Sequence, residues 1–442
     1  KDELIKYLST RIIGTIPAPL ELHWNTMEEY FDYVEKNTTA VNIVAYCAQG
    51  PVRIDEMGFA KGDATPEQLE HMKAEVAKAM EAGCIGLTTG LVYLPGSYTS
   101  KEELAELCSA MKPYGGFYCT HMRDEGDGVL DAIDEAIYIA KTAGVPLHIS
   151  HLKVMGEKNF GTIDKVFEKI NNARAEGLDV TFDAYPYNAG MSSLGTLLPT
   201  WTFEGGVDKM LERIQIPENQ ERIKREMQEG IPGWQSFYIM TGGFKGIVLC
   251  SVMTEANKKY EGMNVLEVAA DRGVDPFQAF FDLLVEEKSK IQMLNLSMSQ
   301  DDVDQVIADP DGMIGSDSMD LSDEGLLSIG KPHPRAFGTV GKLFATYVRE
   351  KGVLTFEQAV RKLTGLPAKR IGFTDRGILK EGNFADIVVF DPETIADTAT
   401  YTHPQQYPTG IDTVIVNGQI AFQDGKQLDV CAGKMLRKGK TF

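Results

Sequence analysis

The sequence predicts an α/β fold, a parallel sheet or barrel built from βα units with a small β domain appended at its C-terminus. Three observations predict it. Short apolar, β-branched runs alternate with segments of helical period. The helical segments carry start and stop signals. In the last part of the chain the helical period gives way to short strands joined by Asn-Gly and Asp-Gly turns.

Six runs read as strands of the parallel sheet: VNIVAYC from Val41, CIGLTTGL from Cys84, GFYCTH from Gly116, PLHISH from Pro146, VTFDAYPY from Val180 and MIGSDS from Met313. Between them, TPEQLEHMKAEVAKAMEAG from Thr65 and SKEELAELCSAMKPYG from Ser100 open on a capping residue and close on Gly, as amphipathic helices do. The rhythm breaks from Thr202 to about Leu296, where charged helical pieces surround a GIPGW turn at Gly230, a FYIM run at Phe237 and a GIVLCSV run at Gly246. This stretch is expected to be an elaborated crossover between two strands. After Asp317 a loop rich in Ser, Gly and Pro runs to His333-Pro334-Arg335, and helices are expected from Gly341 and Thr355. ADIVVFD from Ala385, DTVIVNG from Asp412 and QIAFQDG from Gln419 then form the tail strands. The expected division is a catalytic domain over 1–378, with an insertion at about 202–296, and a β part over 379–442.

A chain of 442 residues with 43% apolar and 24% charged content can bury a large core. Its net charge of −20 argues against nucleic acid or an anionic membrane as partner and leaves a small polar molecule open. The six cysteines show no CxxC pairing or framework spacing, which points to free thiols in a reducing cytoplasm. No stretch reaches the roughly 18 to 20 apolar residues that a membrane span needs. The opening Lys1-Asp2-Glu3-Leu4 is charged, unlike a signal peptide, and as an N-terminal string it is no retention signal. Oligomeric state is not encoded in any of these patterns.

In a parallel barrel the reactive residues sit where strands end and βα loops begin. Four of the six runs end on a polar candidate: His121 closes GFYCTH, His151 closes PLHISH, Asp183 lies near the end of VTFDAYPY, and Asp317 near the end of MIGSDS. Strand alternation puts His148 and His151 on opposite faces. His151 is nearer the loop and is favoured as a ligand, leaving His148 as a helix-facing partner or a satisfied core residue. A single strand-end His more often packs than ligates, but two on consecutive strands, with an Asp on a later one, reverse that balance. Imidazole and carboxylate suit zinc, a bound water then approaches neutral pKa, and an adjacent carboxylate such as Asp317 can shuttle its proton. His121, His151 and Asp317 could hold one metal if all three turned inward. His23, His71 and His403 read as solvated, and Cys119 as core. No GxSxG elbow, GxGxxG or P-loop is present.

Several long motifs in fixed order carry a family resemblance: GCIGLTTGLVYLPGSYTSKEEL from Gly83, THMRDEGDGVLDAIDEA from Thr120, VPLHISHLKVMG from Val145, FDAYPYNAG from Phe182, MIGSDS from Met313 and HPRAFGT from His333. The chain resembles the N-acyl-D-amino-acid deacylases (D-aminoacylases) of the amidohydrolase superfamily from its first residues to the VIVNG strand. The resemblance implies a TIM-type (β/α)8 barrel of the metal-dependent hydrolase kind with a flanking β-sandwich. It implies a zinc (Zn2+) cofactor and hydrolysis of N-acyl-D-amino acids to a carboxylate and a free D-amino acid. Carried onto this chain, it implies His121 and His151 as metal ligands and Asp317 as catalytic residue. It implies substrate contacts at Lys153, Tyr185 and Arg335, with Ser192 a looser match because NAGMSS departs from the usual spacing. Arg335 makes physical sense as a bidentate clamp on the substrate's α-carboxylate.

The same resemblance implies elements this sequence does not show: initial sandwich strands, a first barrel strand ending in His-x-His, and a second ending in an Asn-Cys-Gly turn whose Cys is a ligand. KDELIKYLSTRIIGTIPAP resembles the segment just after that cysteine, so the six runs would be strands three to eight. Roughly 90 residues would be missing, given two βα units of about 30 residues or more and a few sandwich strands. Gln49 stands where relatives often carry a His in a Gly-His-Gly turn. Two alternatives remain open: a related amidohydrolase acting on cyclic amides or D-dipeptides, since one barrel hosts many chemistries, or a catalytically incomplete fragment with exposed strand edges.

Overall fold

The computed structural model describes Asp2, Leu4, Ile5 and residues 21–442. Most of the KDELIKYLSTRIIGTIPAP segment therefore lies outside the described residues. A six-stranded, all-parallel sheet runs in chain order: β1 (Cys47–Ala48), β2 (Gly86–Gly90), β3 (Phe117–His121), β4 (Leu147–Ile149), β5 (Val180–Ala184) and, after a long excursion, β9 (Met313–Ile314). Each of the six sequence runs supplies one strand. The chain has the TIM-type α/β architecture, with helices on the sheet's outer face and an antiparallel sheet beside it.

The connecting helices form where their caps predict. Pro66–Ala82 opens with a reciprocal capping box between Thr65 and Gln68 and stops at Gly83, and Lys101–Ser109 is capped by the Ser100 side chain. Their apolar faces join one large core with the outward strand residues Leu87, Tyr118, Leu147, Ile149 and Phe182. The other face of the sheet carries a smaller cluster of Ile85, Phe117 and Cys119.

The run from Val41 enters the strand only at its last residue, Cys47, which pairs together with Ala48. Its earlier part is held from far away in sequence: Ile43 bridges to Met435 and Thr39 to Gly433. A side chain at 433 would collide with the Val41 carbonyl, its Cβ falling 2.0 Å from that oxygen, so glycine is required there.

Between β5 and β9 the chain builds a second sheet. Strands β6 (Gly190–Ser193), β7 (Ile247–Ser251) and β8 (Gln292–Asn295) form an antiparallel set in the order β6-β8-β7. The break in barrel rhythm thus begins at Gly190, ahead of the expected Thr202, and the FYIM run is a short helix, Phe237–Met240. Past β9, the first C-terminal helix starts at Arg335, six residues before the expected Gly341, and continues as a π-helical turn over Leu343–Glu350. A helix then follows at Phe356–Leu363.

Strands β10 (Ile387–Phe390), β11 (Ile411–Val416), β12 (Gln419–Gln423) and β13 (Lys426–Gln427) make a four-stranded antiparallel sheet. Asn417-Gly418 and Asp424-Gly425 take positive φ at both residues, as the tight hairpins predict. Among the described residues no helix is long and apolar enough to cross a membrane.

Candidate active site

His121 is the last residue of β3 and projects from the C-terminal end of the parallel sheet. His151 lies two residues beyond the end of β4, at φ +40°, a left-handed backbone that non-glycine residues rarely adopt. Its backbone N–H donates to Asp183 Oδ1 at 2.7 Å, which fixes the turn. With the extended geometry ended at Ile149, alternation no longer governs where His151 points. Its Nε2 meets His121 Nδ1 at 2.9 Å.

His148 corrects the expectation of a helix-facing residue. In register it pairs with Cys119 and Thr181, so it shares the face of His121. It is the satisfied alternative: Nε2 bonds Asp183 Oδ2 at 2.8 Å and Nδ1 bonds Thr181 Oγ1 at 2.8 Å.

The loop after β3 adds a residue that strand-end reasoning missed. Glu125 is buried, its Oε1 lies 3.1 Å from His151 Nδ1 and its Oε2 3.9 Å from His121 Nε2. Ligand atoms of His121, Glu125 and His151 all lie within 4.8 Å of one another. Lys153 closes the network, its Nζ 2.8 Å from Glu125 Oε1 and 2.6 Å from His151 Nδ1. The available signal was local: an acid four residues after a strand-end histidine, in HMRDE.

The electrostatics suit a cation. Burial pushes the His121 imidazolium pKa down to about 3, against the opposing pull of Glu125, so the ring is neutral and keeps a lone pair. Burial, the largest single influence, works to raise the Glu125 carboxyl, but Lys153, His121 and His151 together outweigh it and hold it well below the usual carboxylate range. His121 Nε2 is buried without a hydrogen-bond partner. The orphaned His121 Nε2 faces Glu125 Oε2 at 3.9 Å, while His121 Nδ1 is taken up by His151 Nε2. A neutral His121 imidazole with an orphaned nitrogen, a second imidazole from His151 and an anionic Glu125 thus fit a zinc ion.

Asp317 stands outside this cluster. It too has a left-handed backbone, at φ +48°, and its Oδ2 pairs with Arg335 Nη1 at 2.7 Å. Arg335, the first residue of its helix, is buried rather than a loop-surface residue, and its guanidinium lies 4.5 Å from the Tyr185 ring centroid. His333 positions it: Nδ1 accepts the Arg335 N–H at 2.9 Å while Nε2 bonds the Ala189 carbonyl at 2.8 Å. Burial keeps the Tyr185 hydroxyl protonated by raising its pKa, and Lys153 Nζ lies 5.8 Å from its ring. Ser192, on β6, sits 3.3 Å from the Tyr93 hydroxyl, and the Tyr93 ring leans on His121 with centroids 5.2 Å apart. His23, His71 and His403 are exposed, and Cys119 is buried with its Sγ 3.1 Å from Ser150 Oγ.

The chain is similar to known proteins over most of its length. A model of the amidohydrolase family matches residues 301–422. The chain is 33% identical over 429 residues to a D-aminoacylase of Alcaligenes xylosoxydans xylosoxydans, covering 96% of this chain and 77% of that protein. It is 30% identical to an N-acyl-D-glutamate deacylase of the same organism, over 90% of this chain and 70% of that one. Among solved structures, a D-aminoacylase superposes with TM-score 0.75 at 30% identity, over 93% of this chain and 75% of its own. The N-acyl-D-glutamate deacylase of Bordetella bronchiseptica, solved with zinc and a phosphonate mimic of the tetrahedral intermediate, superposes at 0.76 and 28% identity, over 95% and 76%.

Proposed function

The chain belongs to the D-aminoacylase family of amidohydrolases, and on that premise we propose that it hydrolyses N-acyl-D-amino acids, with zinc, to a carboxylate and a free D-amino acid. The observation that carries the proposal is the buried His121–Glu125–His151 cluster at the end of the parallel sheet, with Asp317 and Arg335 across from it. The chain's net charge of −20 favours a small polar substrate over nucleic acid or an anionic membrane. Five buried cysteines and an exposed sixth, all unpaired, support a cytoplasmic setting.

His121 and His151 would hold the metal, with Glu125 as the carboxylate of the set. When bound, zinc supplies Lewis acidity, acidifying water towards neutral pKa and polarising the scissile carbonyl. Arg335 orients the substrate by its α-carboxylate, its guanidinium held over the Tyr185 ring. Because Arg335 holds Asp317 Oδ2, Oδ1 is the oxygen left to take a proton from the attacking water and return it to the leaving amine nitrogen. Lys153 keeps Glu125 anionic and holds His151 in orientation; the protonated Tyr185 hydroxyl can donate to a substrate oxygen. The catalytic part is assigned to 1–378, with 379–442 as flanking support.

The test is zinc content together with D-amino acid release from N-acetyl-D-amino acids. The wild-type protein is expected to carry zinc and turn these substrates over, and His151→Ala to lose both. A His151→Ala protein keeping its zinc and its activity would overturn the assignment.

A further inference from the structure

A cavity of about 350 Å³ lies beside the Asp317–Arg335 pair, and its far wall comes from the inserted sheet through Met191, Ser192 and Gln292. Gln292 is only 4% exposed, and its side-chain amide nitrogen has no hydrogen-bond partner. A buried N–H left unpaired is costly, and native structures keep few of them. The row in which it stands repeats the feature. Ser193, Gln292 and Ser251 are neighbours across β6, β8 and β7, and Ser251 Oγ is also buried and unpartnered.

The charge of this cavity is as informative as its open donor. Arg335 is the single Lys or Arg in its lining, and it is already engaged by Asp317. His333 spends both ring nitrogens on backbone partners. In the deacylase reading, on which this inference rests, Arg335 takes the α-carboxylate. Nothing in the lining then remains to neutralise a second carboxylate, and Asp317 would repel one. Met191, Met319 and Leu321 add apolar surface to the same lining.

We propose that Gln292 is a specificity-determining residue that reads the side chain of the D-amino acid. It selects an unbranched, neutral side chain ending in a hydrogen-bond acceptor, with D-glutamine the best match, and the pocket rejects D-glutamate. The chemistry is that of a site built to donate one hydrogen bond, which discriminates against groups that leave its donor unpaired.

The experiment compares kcat/KM for N-acetyl-D-glutamine, N-acetyl-D-leucine and N-acetyl-D-glutamate in the wild type and in Gln292→Leu. The wild type is expected to favour D-glutamine over D-glutamate at least about tenfold. Gln292→Leu is expected to lower the D-glutamine to D-leucine ratio of kcat/KM by about tenfold. Binding of the same three compounds to chelator-treated protein reads the pocket without turnover, and the Kd ratios should shift in the same sense. A ratio unchanged in Gln292→Leu, or a wild-type preference for D-glutamate, overturns the inference. Absence of turnover with the Kd ratio shifted sinks the deacylase reading and leaves the Gln292 subsite standing.

Discussion

The two sheets before the C-terminal one contribute different things: the inserted sheet lines the cavity beside Asp317 and Arg335, and the parallel sheet carries the reactive groups. The parallel sheet delivers the reactive groups: His121 at the end of β3, His151 and Lys153 past β4, Tyr185 past β5 and Asp317 past β9. The inserted sheet delivers Ser192 and Gln292, which carry no charge. The difference follows from geometry. Parallel strands in level register end together, so every strand-end loop converges on one place. An antiparallel insertion presents a flat row of side chains, which serves recognition. The parallel part also holds strain: His151 and Asp317 both occupy left-handed backbone, at a cost of order 1–3 kcal/mol each. Asp183 ties down the first and Arg335 engages the second.

The largest effects should come from the buried cluster. His151→Ala is expected to cut kcat/KM by about 10³-fold or more, with zinc lost, and chelation of the wild type should do the same until zinc is restored. Glu125→Gln leaves Lys153 buried without its anion and is expected to cost about 3–5 kcal/mol of stability in denaturant unfolding. A Glu125→Gln protein as stable as wild type would show that the Glu125–Lys153 pair is not what holds the cluster together.

Next in size is Asp317→Asn, expected to lower kcat by about 10²–10⁴-fold. Its zinc content should stay at the wild-type level, because Asp317 lies outside the His121–Glu125–His151 cluster. Zinc loss in Asp317→Asn would instead place this carboxylate among the metal ligands. Arg335→Lys keeps the charge but not the planar fork, and KM is expected to rise by roughly 10- to 100-fold with a smaller change in kcat. His333→Gln should move KM in the same direction by less, since it acts only by positioning Arg335.

The same contrast governs what could be read from sequence. All six parallel strands were legible, because each is an apolar run, and His121 and His151 stood out as polar residues closing two of them. Glu125 did not, since an acid in a polar loop looks like any solvated charge until the fold buries it. His148 was put on the wrong face because alternation holds only while the strand lasts, and β4 ends at Ile149. The run from Val41 kept so little strand because its partners, Gly433 and Met435, lie almost 400 residues away. Within the insertion, GIVLCSV was visible as a run, but the β6-β8-β7 order, and with it the position of Gln292, depends on pairings that no local pattern specifies.

The smallest expected effect tests how tightly the two sheets are coupled. The Tyr93 hydroxyl and Ser192 Oγ, 3.3 Å apart, link the loop after β2 to the inserted β6, and the Tyr93 ring also leans on His121. Removing one such bond between partly exposed groups should cost at most about 1 kcal/mol, or roughly fivefold in kcat/KM. Tyr93→Phe and Ser192→Ala remove the same bond, so the double variant should lose no more than either single one. If the recognition sheet only receives the substrate, the loss will appear in KM. A loss confined to kcat, shared by both variants, would mean that the inserted sheet holds Tyr93 against His121 and so takes part in positioning the metal ligands, which would end the division of labour between the two sheets.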